Sequence, residues 1–179
     1  MLDYRNVLSH IDFKNVHFIL APTCLYLPIF KNSGYNLCIQ EIPLNEKYNL
    51  TGDISMNQLQ SLDVSYAIVG HFERRKYYKE TEYDILEKIK DCLENNMKVI
   101  YCIGESKEEK ERRVEYQVLE RQIARIFNKL DEEDLKNILI AYEPTDLIGK
   151  ESVYDILKIR SMISFIKKIV KDYYGIDIE

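Results

Sequence analysis

Five short apolar runs punctuate the chain: VHFILAP (16–22), NLCIQEI (36–42), VSYAIVGH (64–71), KVIYCIGE (98–105) and NILIAYEP (137–144). Their apolar residues are nearly continuous rather than alternating, and each run ends at a proline, a glycine or a charged residue. This pattern predicts strands covered on both faces, as in a parallel sheet. Between the later runs the period changes to that of a helix. ETEYDILEKIKDCLENN sets Ile85, Leu86, Ile89, Cys92 and Leu93 on one stripe, and a helix predicted over 107–129 does the same with Val114, Val118, Ile123 and Phe127. Within it, KEEKERR (107–113) pairs Glu108 with Arg112 and Glu109 with Arg113 at i,i+4, the spacing of a solvated helix face. Another helix is predicted from Ser152 onward, with Ile156, Leu157, Met162, Ile163, Ile166 and Ile169 available for burial.

Strand and helix thus alternate with a repeat of roughly 30 residues in the later part of the chain, the period of βαβ units. With 179 residues, an α/β fold of one domain spanning 1–179 is expected. In parallel α/β proteins, ligands are bound at the carboxyl ends of the strands. The polar residues that close the runs, Gln40, Glu41, His71, Glu105 and Glu143, are therefore expected to collect at one end of a sheet.

Composition narrows the partners. A net charge of -5 is not the basic footprint of a general nucleic-acid binder, although a local site for a small anion stays open. No apolar run approaches the ~18 residues of a membrane span, and the opening MLDYRNVLSH lacks the features of a secretory leader, so a cytoplasmic protein is expected. Cys24, Cys38, Cys92 and Cys102 are widely spaced without a CxxC pair; they read as free thiols, with neither a metal nor a redox centre implied.

Two of the strand-end residues carry chemistry. His71 follows Gly70 at the start of a predicted helical turn, where the helix dipole opposes protonation and favours a neutral hydrogen-bond donor. Glu143, in AYEP, sits where an apolar strand meets a proline, and partial desolvation there suits a general base. Either residue alone also reads as a plain strand end. Together, a base and a neutral electrophile suit proton abstraction next to a carbonyl. Glu73, Arg74 and Arg75 read first as an ion-pair cluster that fixes the turn.

The stretches TGDIS, YAIVGHFERRKYYKETEYDILEKI, VIYCIGES and ILIAYEP…IG, in that order over residues 16–175, closely resemble the triosephosphate isomerase family, whose usual forms are TGEVS, GHSERR, CVGE and AYEPVWAIGTG. The resemblance implies a TIM (β/α)8 barrel, here an incomplete barrel of about five βα units. It also implies interconversion of dihydroxyacetone phosphate and glyceraldehyde 3-phosphate without a cofactor, and a homodimer. By the same resemblance His71 is the neutral electrophile and Glu143 the carboxylate base. Glu73 matches a carboxylate beside the site, Thr51 the tip of the loop that reaches the partner subunit, and Gly149 a main-chain N–H for the substrate phosphate.

Departures from the pattern shape the expectation for this chain. Phe72 stands where the family has serine, Asp146 where it has tryptophan, and Glu151 where it has a hinge glycine of the lid. The first strand with its substrate-holding lysine and the phosphate-gripping loops of the last two strands have no counterpart here. Five strands cannot close a barrel that typically needs ~250 residues, so the chain alone is expected to be inactive, with two open sheet edges. A divergent relative that binds a sugar phosphate or a protein partner without efficient turnover is the second expectation. A five-stranded flavodoxin-like binding domain is the third, weakened because no strand is followed by a phosphate-binding loop.

Overall fold

The computed structural model describes residues 2–44, 50–144 and 155–178. Among them lie five strands, β1 (Ile19–Leu20), β2 (Asn36–Ile39), β3 (Val64–Val69), β4 (Lys98–Ile103) and β5 (Ile138–Tyr142), each inside one of the five apolar runs. Nine α-helices accompany them in the described residues: α1 (Leu2–Leu8), α2 (Leu27–Phe30), α3 (Met56–Ser61), α4 (Phe72–Tyr77), α5 (Glu82–Glu94), α6 (Lys107–Glu111), α7 (Glu115–Phe127), α8 (Glu132–Leu135) and α9 (Ile156–Tyr174). The fold is α/β with parallel strands, as the near-continuous apolar runs require. The chain divides into two compact units, Met1–Val69 with Glu87–Val99, and Gly70–Leu86 with Ile100–Glu179.

In the first unit β1 pairs with β2 and β2 with β3, all in parallel, with a register shift between Leu37 and Cys38. Leu37, Cys38, Ile39, Ala67 and Val69 are buried, and Leu59, Ile89 and Cys92 close the core with them. Helix α3 starts at Ser55, whose hydroxyl accepts the Gln58 N–H while Gln58 returns its side chain to the Ser55 N–H. This reciprocal cap satisfies two main-chain donors that a helix end leaves free.

In the second unit β4 and β5 are neighbours, and the ladder ends with the Glu143 N–H donating to the Ile103 carbonyl at 2.8 Å. Helix α7 packs on α9. Leu119, Ile123 and Ile126 of α7 and Met162 and Val170 of α9 are fully buried, and the Tyr116 ring meets Phe165 edge-on at 4.7 Å.

Two expectations are corrected. The helix predicted over 107–129 is broken: α6 ends at Glu111 with Arg112 as its C-cap, Arg113 takes a left-handed φ of 56°, and α7 begins at Glu115. A left-handed turn makes the break: the Arg113 N–H closes on the Lys110 carbonyl at 3.0 Å and the Val114 N–H on the Glu109 carbonyl at 3.1 Å. At the other end of α6, Ser106 and Glu109 form a capping box, and the second Glu109 oxygen meets Arg121 at 3.2 Å rather than Arg113. The apolar stripe of α9 is also displaced: Met162, Ile166, Ile169 and Val170 are buried, but Ile156, Leu157 and Ile163 are exposed.

Candidate active site

The site is built where β3 stops. Gly70 takes φ +78°, a conformation that costs a residue with a Cβ, and it turns the chain so that His71 becomes the N-cap of α4. There the Glu73 N–H donates to His71 Nδ1 at 3.3 Å. A ring nitrogen that accepts carries no hydrogen, so the hydrogen of the neutral ring is on Nε2. That atom lies 3.2 Å from Glu143 Oε1. The other oxygen of Glu143 accepts the Phe72 N–H at 3.0 Å. The carboxylate is thus bound by the first main-chain N–H of α4 and lies close to the imidazole that caps the same helix.

Burial grades the pair. The His71 side chain is 31% exposed and that of Glu143 16%, so the carboxylate is the more enclosed of the two. Phe72, which replaces the serine of the family pattern, keeps a donor on Glu143 through its main chain, and its ring lies 4.9 Å from that of His71. The main-chain donor is one that any residue but proline offers here; the side-chain hydroxyl of a serine has no counterpart in Phe72.

Arg75 braces the turn from inside. Its Nε donates to the Gly70 carbonyl at 2.7 Å, one amino group to Glu82 at 2.6 Å and the other to the Cys102 carbonyl at 3.2 Å. Burial pulls the Arg75 guanidinium down from its ordinary pKa, but Tyr101 and Glu82 beside it outweigh burial and raise it. Arg74 stacks over the Tyr78 ring at 3.9 Å. The cluster does fix the turn, as its sequence suggested; its targets are main-chain carbonyls as much as carboxylates.

Of the residues singled out by sequence, the structure brings His71, Glu73 and Glu143 together, with Glu73 Oε2 3.6 Å from His71 Nδ1. Glu105 is buried at the end of β4, where both of its oxygens are 3.1 Å from the Tyr142 hydroxyl. In the first unit Glu41 pairs with Lys88, Gln40 donates to the Ala21 carbonyl at 3.0 Å, and Thr51 sits in an exposed turn closed by the Asp53 N–H on the Leu50 carbonyl. Gly149, Asp146 and Glu151 lie outside the described residues. Among the described residues, no group of three or more His, Cys, Asp or Glu side chains is placed to hold a metal ion, and no helix is long and apolar enough to cross a membrane.

Sequence reading missed Gly104 and Gln122. A Cβ on Gly104 would lie 1.9 Å from the Glu143 carbonyl oxygen, so only glycine lets β4 run flush against the main chain of Glu143. Gln122, on α7, holds both main-chain groups of Gly104. A glutamine in an apolar helix stripe was the available signal, because a buried amide demands partners.

Parallel strands that bring a carboxylate and an imidazole within 3.2 Å of each other beyond their carboxyl ends define a protein of the α/β class. The profile of the triosephosphate isomerase family matches residues 4–178, and the chain belongs to that family. It is 37% identical over 147 residues to a triosephosphate isomerase of Alkaliphilus oremlandii, a match covering 81% of this chain and 59% of that protein. It is 35% identical over 161 residues to one of Clostridium botulinum, covering 88% and 65%, and 36% identical over 157 residues to one of Mesomycoplasma hyorhinis, covering 87% and 63%. The chain therefore spans about three fifths of the length of the curated relatives it matches. Its five strands are an incomplete set of the eight that close a TIM barrel.

Proposed function

We propose that these residues are one partial barrel domain and form the acid–base core of an enzyme that interconverts dihydroxyacetone phosphate and glyceraldehyde 3-phosphate. Glu143 takes the proton from the carbon next to the carbonyl, and His71, through its Nε2–H, polarises the carbonyl oxygen. Glu73 supports the imidazole, the Gly149 N–H serves the phosphate, and Thr51 belongs to a homodimer contact. A cytoplasmic location fits a phosphorylated triose substrate. The roles of His71 and Glu143 are carried over from the family. The contact at 3.2 Å between His71 Nε2 and Glu143 Oε1 carries the reading, because it puts base and electrophile within reach of one small substrate. Proton transfer of this kind needs no redox partner.

The test is an isomerase assay on a chimera in which residues 4–178 replace the matching span of a full-length relative. Activity that is lost in both Glu143→Gln and His71→Gln supports the reading. A chimera that binds a triose phosphate but turns it over no faster than its Glu143→Gln variant favours instead a divergent relative that binds without turnover, for which Asp146 and Glu151 are the motivating departures. The 179-residue chain alone is expected to differ from its Glu143→Ala variant by less than about tenfold, since remote contacts to the phosphate supply much of the energy for the chemical step.

A further inference from the structure

We propose that Gln122 is a positioning residue for the Glu143 carboxylate, acting through Gly104; this deepens the assignment of Glu143 as the base and rests on it. Gln122 is 8% exposed and lies among Val118, Leu119, Ile123 and Ile126, all of them buried. A buried amide in such company is costly unless its donor and acceptor are both used. Both are used on one residue: Oε1 accepts the Gly104 N–H at 3.0 Å and Nε2 donates to the Gly104 carbonyl at 3.1 Å. The side chain thereby reproduces the donor and acceptor pair that a neighbouring strand would offer at the end of β4. The main chain of Gln122 is tied to the same strand, because its carbonyl accepts the Tyr101 hydroxyl at 3.0 Å.

Gly104 is in turn pressed against Glu143. A Cβ at Gly104 would lie 1.9 Å from the Glu143 carbonyl oxygen and 2.8 Å from its carbonyl carbon, and the Glu143 N–H is fixed to the adjacent Ile103 carbonyl at 2.8 Å. No side chain stands between the two main chains to absorb a displacement. A shift of the Gly104 peptide therefore moves the Glu143 backbone, and with it a carboxylate that must stay 3.2 Å from His71 Nε2 and 3.0 Å from the Phe72 N–H. Misplacement by ~1 Å costs ~10²-fold in rate at such centres. Only an amide meets the donor and the acceptor of Gly104 together; a carboxylate at 122 can accept but not donate, and an apolar side chain does neither.

A merely structural Gln122 would change stability and leave His71 untouched, so the readout is the imidazole itself. In the 15N-labelled 179-residue chain, long-range 1H–15N correlation reports the ring nitrogens of its three histidines, with His71 assigned from the loss of its signals in His71→Gln. Glu143→Ala calibrates the shift that follows loss of the carboxylate. In Gln122→Met, similar in length and volume, the His71 Nε2 signal is expected to move at least half of the way to its Glu143→Ala position, and in Gln122→Glu by a smaller but resolved amount. A folded Gln122→Met protein with His71 signals coincident with the parent overturns the proposal. Should Gln122→Met fail to fold, Gln122→Glu decides alone, and unmoved His71 signals there overturn it equally. If Glu143→Ala itself leaves His71 unmoved, the pair does not exist in solution, and the acid–base assignment falls together with the proposal.

Discussion

Two carboxylates that look alike in the sequence, Glu41 after β2 and Glu143 after β5, meet opposite fates. Glu41 is paired with Lys88, whose side chain is 5% exposed, and the lysine shares its surroundings with the buried thiols Cys38 and Cys92. Glu143 is paired with an imidazole that is 31% exposed. A lysine sealed in a core against a carboxylate is an anchor, because removing one partner of a buried pair is costly. An imidazole that stays partly exposed fits the reactive role proposed for it. The partner and its exposure separate the two carboxylates; strand-end position does not.

The largest effect is expected where the reactive pair is backed by main chain. Gly104→Ala forces a Cβ into the Glu143 backbone, and a loss of about 4 kcal/mol or more, or failure to fold, is expected in urea unfolding. A loss below ~1 kcal/mol would mean that β5 yields easily and that Glu143 is not held from behind.

Next in size is the anchor. Lys88→Ala removes the ammonium that Glu41 meets, and about 3 kcal/mol is expected, the low end for a broken buried pair because the Glu41 side chain is 28% exposed. Glu143→Gln, by contrast, retains an acceptor for the Phe72 N–H and is expected to change stability by less than ~1 kcal/mol. Equal losses in the two variants would erase the distinction between anchor and reactive pair.

The effect that is smallest near neutral pH concerns the thiols around the anchor. Burial pushes Cys38 from 9.0 up to about 12; burial, and then the nearby Asp91 and Cys38, raise Cys92 likewise to about 12. The folded state thus keeps protons that the unfolded chain releases above pH 9.0, so the contribution of these groups is intact below pH 9 and is lost as the pH rises toward 12. Unfolding free energy is expected to fall by about 1.4 kcal/mol per pH unit per thiol in that window. Urea midpoints between pH 8 and 11 check this, and the slope should shrink in Cys92→Ala; an unchanged slope would mean that water reaches the thiol.

The five strands were legible because parallel strands buried on both faces leave unbroken apolar runs, a signal local in sequence. His71 and Glu143 were legible for the same reason, since the residue that closes such a run is placed by the run itself. The break at Arg113 was not: the helical period continues through it, and a non-glycine residue in the left-handed region leaves no mark in the pattern. Nor were the partners of Glu41, Glu105 and Gly104, because Lys88, Tyr142 and Gln122 reach them across 47, 37 and 18 residues of chain. Pairings of that kind depend on which faces the fold brings together.

The central claim is that Glu143 is a base positioned to within a bond length, and Glu143→Asp tests it most directly. In the chimera carrying residues 4–178, shortening the side chain withdraws the carboxylate by about 1 Å while keeping its charge. The account predicts a fall in kcat of ~10²-fold or more, with KM changed little, because the loss falls on the chemical step rather than on binding. A Glu143→Asp enzyme that turns over triose phosphate within a factor of a few of its parent would contradict it and remove Glu143 from the mechanism.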